Sequence, residues 1–277
     1  MILERTIAPV FAASCYVLAP APGGPALVVD PGAGAARGAL ALLRSHRLTL
    51  GAVLLTHGHA DHVWDTAALV SAAREQGLVA APDAAGAQAP VPVYVPAPDL
   101  YRLEDPATTT GIGAAGLTFA DLAGTAWVRP DAVTTFPEDG YSRPVELVPG
   151  LSLRAVPAPG HTEGSTVFFL GATLGDHDLL REAEVDHLQL VDPSEADEPH
   201  DYVLALAGDV LFKGSVGRTD LPGGDQTQML ATLRLLAQVV DPAAVLAPGH
   251  GSMTTMAHEH RANPYLAEAK VHGGEQA

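Results

Sequence analysis

The sequence predicts an α/β fold, and three observations carry that prediction. A rhythm of strands and helices runs through residues 26–76 and returns over residues 203–247. In the first stretch histidine and aspartate follow an apolar run, around Gly58; in the second Asp209 follows one beside Gly208, and His250 comes just after the last strand, beside Gly249. A chain of 277 residues, 47% of them hydrophobic but only 5% aromatic, can bury an ample core of alanine, valine and leucine as one unit, so a single domain over 1–277 is expected.

Taken in order, strands are expected near 2–7, 12–18 and 26–30, followed by the turn Asp30-Pro31-Gly32 and a helix over 35–46 with Leu40 and Leu43 on one face. Cys15 is the only cysteine, which excludes an intramolecular disulfide, and its strand-like setting reads as a buried structural thiol. A strand at 52–56 precedes a helix from Asp65, read as its N-cap, to Gln76, with Gly77 ending it. Residues 81–142 are rich in Ala, Pro, Gly and Thr, hold only short apolar runs and carry no recognisable chemistry, so they read as an insertion. A strand follows at 151–156. Residues 175–201 hold ten acidic side chains and predict a mobile, solvated insertion, whose His177, His187 and His200 read as surface residues. Strand 203–208, helix 226–239 and strand 243–247 complete the order.

The chemistry is concentrated in His57-Gly58-His59-Ala60-Asp61-His62, which follows the β-branched run Val53-Leu54-Leu55-Thr56. Four potential metal ligands in six residues, on a tight turn at a strand end, suit zinc, iron or manganese. Three later strand ends each offer one more ligand: His161 in Pro159-Gly160-His161-Thr162, Asp209 after Leu204–Gly208, and His250 in Pro248-Gly249-His250-Gly251. Seven such ligands suit two ions better than one.

This pattern, H-x-H-x-D-H followed by a histidine, an aspartate and a final histidine, resembles the metallo-β-lactamase superfamily. The stretch Gly208–Asp225, the segment Pro248-Gly249-His250-Gly251 and Asn263-Pro264-Tyr265-Leu266 are similar to the short, single-domain branch of glyoxalase II, the hydroxyacylglutathione hydrolases. The resemblance implies a four-layer αββα sandwich. It implies a first metal site of His57, His59 and His161, a second of Asp61, His62 and His250, and Asp209 bridging them. Two divalent ions are expected, zinc foremost, with iron or manganese also compatible.

The implied reaction is hydrolysis of a small-molecule thioester, foremost S-(2-hydroxyacyl) conjugates of glutathione or another small thiol, by a metal-bound hydroxide. Two ions sharing one water bring its pKa from 15.7 towards about 7. Asp61 would also orient that water. Arg218 in Gly217-Arg218-Thr219-Asp220, and secondarily Lys213, are the candidates for binding the carboxylate of the thiol carrier. Little sequence remains after Leu266 for the helical domain with which longer glyoxalase II enzymes grip glutathione, which leaves the carrier open.

Rival readings differ in their metal. A persulfide dioxygenase shares the early histidines and the Gly-Arg-Thr-Asp segment but uses one iron held by two histidines and an aspartate; the final Pro248-Gly249-His250-Gly251 speaks for the hydrolase. A non-enzymatic metal-binding or interaction module is a lesser alternative that seven intact ligands disfavour. A β-lactamase with a cysteine ligand has no counterpart here. The formal charge of −17, from 32 acidic against 15 basic residues, argues against a nucleic-acid or anionic-membrane surface. No leader-like N-terminus or spanning apolar run is visible, so a soluble, cytoplasmic protein is expected.

Overall fold

The computed structural model describes residues 1–82, 86–111, 117–175, 178–184 and 199–271. Strands β1 (Ile2–Ile7), β2 (Ser14–Ala19), β3 (Pro25–Val29), β4 (Thr49–Leu54), β5 (Val93–Val95) and β6 (Val133–Thr135) form one sheet in that order. Its first three strands are antiparallel, and β3 to β6 run parallel. The second sheet contains β7 (Val145–Val148), β8 (Leu151–Pro157), β9 (Thr166–Leu174), β10 (His200–Gly208), β13 (Val245–Pro248) and β14 (Thr254–Thr255). Between β10 and β13 lies a small hairpin, β11 (Leu211–Phe212) and β12 (Ser215–Val216).

Period-two alternation explains the layering. On β2, Tyr16 and Leu18 join Leu27, Leu54, Leu153, Phe168 and Leu204 in a core between the sheets. Cys15, Val17 and Ala19 face the other way, against Leu40 and Leu43 of helix Ala36–Ser45 and Leu69 and Ala73 of helix Thr66–Glu75. The outer face of the second sheet buries Val167, Ala205 and Leu246 against Met229, Leu233 and Leu236 of helix Gln226–Val239. The result is the expected αββα sandwich. No helix among the described residues is long and apolar enough to cross a membrane.

Three expectations change. Residues 81–142 supply β5 and β6 to the first sheet and bury the charged side chains Asp99 and Arg102; strands of three residues are too short to show alternation in sequence. In the acidic stretch, the described residues 178–184 include helix Asp178–Glu182, whose Leu179 and Leu180 enter the core between the sheets, rather than a solvated loop. His177 and His187 lie outside the described residues, and His200 is exposed on β10. Asp65 stands at the start of its helix but does not cap it: its carboxylate accepts from Gly34 N (2.9 Å) and Ala36 N (3.1 Å), at the head of the neighbouring helix.

Candidate metal centre

All seven expected residues meet at one end of the sandwich. His57 and His59 leave β4 on the turn after Thr56, and Asp61 and His62 follow on the one-turn helix Ala60–Val63. His161 lies between β8 and β9, Asp209 directly follows β10, and His250 follows β13. The first sheet therefore contributes four of the side chains and the second sheet three. His57, His59 and His161 form one compact trio and Asp61, His62 and His250 another, with the ligand atoms of each trio within 4.8 Å of one another.

Hydrogen bonds outside the cluster fix which ring nitrogens point inward. His161 Nδ1 donates to the Arg218 carbonyl (2.7 Å), so Nε2 presents its lone pair, 2.8 Å from Nδ1 of His59. The Thr56 hydroxyl donates to Asp30 (2.6 Å) and accepts from His57 Nδ1 (3.1 Å), which turns His57 Nε2 inward. His62 Nδ1 donates to Asp30 Oδ2 (3.1 Å), leaving its Nε2 3.2 Å from Nε2 of His250. His57 Nε2 and Asp209 Oδ1 are buried without any hydrogen-bond partner, and His59 turns Nδ1 to the cluster. Buried polar atoms are normally paired, so inward lone pairs and orphaned atoms at this density are what a bound cation would satisfy. Asp30 and the carbonyl of Arg218 supply the outer hydrogen bonds that orient metal-binding imidazoles.

Asp209 stands between the trios. Its Oδ2 lies 3.5 Å from His161 Nε2 and 3.4 Å from His250 Nε2, while Oδ1 lies 3.3 Å from His62 Nε2. Asp61 Oδ2 is 3.6 Å from His62 Nε2 and 3.3 Å from His250 Nε2. These are histidine and aspartate groups able to hold metal ions, in an arrangement consistent with a dinuclear site.

The two trios differ in charge. Burial, reinforced by His62 and the other histidines, drives His57 well below the usual imidazole range, and burial with His161 drives His59 down to about 3. Burial also opposes charge on His62 and His250, but the carboxylates outweigh it. Asp209 and Asp61 raise His62 well above its usual value and take His250 to about 9. Despite their burial, Asp61 and Asp209 are held low by the same histidines. In the metal-free chain, protons on His62 and His250 thus supply positive charge at the place a divalent ion would occupy.

A cavity of about 440 Å³ opens onto His59, Asp61, His161, Asp209 and His250, walled by Phe11, Thr110, Phe212, Val216 and Leu221. Arg218 lines its edge, with its guanidinium bidentate to Asp220 (2.6 and 2.7 Å) and exposed. Lys213 does not line the cavity; its ammonium pairs with Glu184 at 2.7 Å. Sequence reading missed Asp30, Thr56, Asp99 and the apolar walls. Asp30 alone left a signal, because it ends β3 beside β4 and a polar turn residue there falls next to Thr56.

Comparison with known proteins agrees with this architecture. An uncharacterized protein of Mycobacterium tuberculosis is 36% identical over 267 residues, 96% of this chain and 98% of that one. The hydroxyacylglutathione hydrolase GloC of Haemophilus influenzae is 40% identical over 67 residues, 24% of this chain and 32% of that one. Among solved structures, the BLEG-1 B3 metallo-beta-lactamase superposes with a TM-score of 0.65 at 25% identity, covering 96% of this chain and 99% of that one. TTHA1623 in a di-iron-bound form superposes with a TM-score of 0.61 at 27% identity, covering 95% and 99%. The sequence model of the metallo-beta-lactamase superfamily matches residues 8–173, and with the αββα layers and the seven convergent side chains in place, the chain belongs to that superfamily.

Proposed function

We propose that this protein is a cytoplasmic, dinuclear metal-dependent hydrolase of small-molecule thioesters, similar to the short glyoxalase II enzymes. The observation that carries the reading is the placement of Asp209 between two separate trios, His57, His59 and His161 on one side and Asp61, His62 and His250 on the other. Those residues would hold two divalent ions, zinc foremost. When bound, the pair supplies an activated water at neutral pH and charge that stabilises a developing oxyanion. The likeness to GloC over 67 residues and to TTHA1623 in its di-iron-bound form supports both the substrate class and the ion count.

The chain's own groups have distinct tasks. Asp61 lines the cavity, turns Oδ2 to His62 and His250, and orients the attacking water with its carboxylate. Asp30 keeps the His62 ring, and through Thr56 the His57 ring, in the tautomer that presents Nε2 inward. Phe11, Phe212, Val216 and Leu221 hold the acyl or thiol portion against water. A departing thiol with a pKa near about 8.5 leaves as the thiolate, so no strong general acid is required. Arg218, at the cavity edge, receives a carboxylate of the thiol carrier, as in S-(2-hydroxyacyl)glutathione.

The segment Gly217-Arg218-Thr219-Asp220 favours a second reading, a persulfide dioxygenase with one iron. Elemental mass spectrometry on protein purified without chelator separates the two, followed by a thioester panel led by S-lactoylglutathione. Two ions per chain with thioester turnover is the expected result. One iron per chain, with oxygen consumption on glutathione persulfide and no thioester turnover, overturns it.

A further inference from the structure

The strongest feature outside the seven converging side chains is a fully buried ion pair, Asp99 with Arg102, on the 3-10 turn Ala97–Glu104. A buried ion pair costs desolvation and is weak grounds for stability alone, so what its atoms hold is informative. The Asp99 carboxylate accepts four hydrogen bonds: from Gly58 N (2.8 Å) and Thr162 Oγ1 (2.8 Å) on Oδ2, and from Gly164 N (2.8 Å) and Arg102 Nε (3.1 Å) on Oδ1. That fills the acceptor capacity of a carboxylate. Gly58 stands between His57 and His59, and Thr162 directly follows His161. A single carboxylate thus grips both loops of the first trio, and none of its donors lies next to Asp61, His62 or His250.

Steric contacts follow the same map. A Cβ on Gly58 would lie 2.7 Å from Arg102 Cβ, and one on Gly164 would lie 2.6 Å from Asp99 Cγ, so both loops are pressed directly onto the pair. Arg102 extends the clamp, with Nη2 bonded to Glu163 and to the Pro222 carbonyl (2.9 Å).

We infer that Asp99 is a positioning residue for the first trio, setting the separation between the His57–His59 turn and His161, with Arg102 fixing its rotamer. The inference rests on the metal-site reading above. Replacing the carboxylate by an amide turns one acceptor oxygen into a donor that faces N–H or O–H groups, which forces the two loops apart while leaving the second trio's own supports, Asp30 among them, intact.

The test uses the full chain made metal-free and measures zinc affinity by chelator competition. It is run in two backgrounds that retain one trio each, His250→Ala for the first and His161→Ala for the second. Asp99→Asn is expected to weaken zinc at the first trio at least tenfold and at the second less than threefold. Thr162→Val, which removes one donor at little risk to folding, is expected to weaken the first trio alone by severalfold, and it decides the matter if Asp99→Asn does not fold. Equal weakening of both trios in step with a lower Tm, or no weakening of either, overturns the inference. If the unsubstituted protein does not take up two ions, the metal-site reading itself fails.

Discussion

Asp30 Oδ2 accepts a hydrogen bond from Nδ1 of His62 at 3.1 Å across 32 residues of sequence, with both side chains buried. The same carboxylate accepts from Thr56 N at 2.8 Å and from the Thr56 hydroxyl, so it orients His62 directly and His57 through one intermediary. Asp30 itself sits at φ +51°, in the left-handed region, which a short polar side chain tolerates better than most.

Asp30→Ala is therefore expected to act on the candidate metal ligands His62 and His57 without itself standing among them. It strands the buried donors of Thr56 and His62, costing roughly 2–4 kcal/mol of stability. Zinc affinity is expected to fall by about ten- to hundredfold. Chelator competition and thermal unfolding of the metal-free protein check the two effects separately; unchanged zinc affinity would show that Asp30 does not orient the ligands.

Metal uptake should release protons unequally. His57 is far below its ordinary range and His59 near 3, so neither has a proton to lose at pH 7. His62 is raised and His250 stands near 9, so both are protonated there and an ion entering beside Asp61 must expel their protons. Lowering the pH from 9 to 6 then weakens binding at Asp61, His62 and His250 far more than pH acts through His57 and His59. Calorimetric zinc titrations in buffers of different ionisation enthalpy count the protons. Equal release for the two ions is the contrary result.

Asp61→Asn keeps a side-chain oxygen for an ion but loses the anionic carboxylate proposed to orient the water. Thioester turnover is expected to fall by about 10²–10⁴ at unchanged metal content. Full turnover with two ions bound would remove Asp61 from the chemistry.

Arg218→Ala should raise KM for a thioester with an anionic carrier several-fold and leave kcat nearly constant, the mark of lost uniform binding. The guanidinium is exposed and, among the described residues, paired to Asp220 alone, so no change in Tm is expected. A neutral thioester should show no KM effect, and an unchanged KM for the anionic substrate would exclude Arg218 from substrate binding.

Much of the site was legible because its signals are local. Each cluster of candidate ligands follows an apolar run, and five of the seven side chains adjoin a glycine, a pattern read one strand at a time; helix 226–239 falls at the expected residues. Long-range partners left no such trace. Asp99 serves loops centred on Gly58 and Thr162, and its own surroundings are a short 3-10 turn without periodicity. Asp65 carries a sound N-cap signal, yet the packing of two helices hands its carboxylate to the other one. Arg218 was picked for its guanidinium, whereas its best-defined contact with the cluster is its backbone carbonyl on His161.

The turn that presents Phe11 to the cavity is joined to the loop of the last histidine. Ala13 bridges to His250, and the Ser14 amide donates to the Gly249 carbonyl at 2.7 Å. The order of assembly during synthesis follows from this closure. Six of the seven candidate ligands emerge from the ribosome before His250, and although Ser14 pairs with Ile7 on β1, its amide has no acceptor until Gly249 has been made. A chain that ends short of Gly249 therefore lacks both the tie that holds the Phe11 turn at the cavity and the last histidine of the Asp61, His62 and His250 trio.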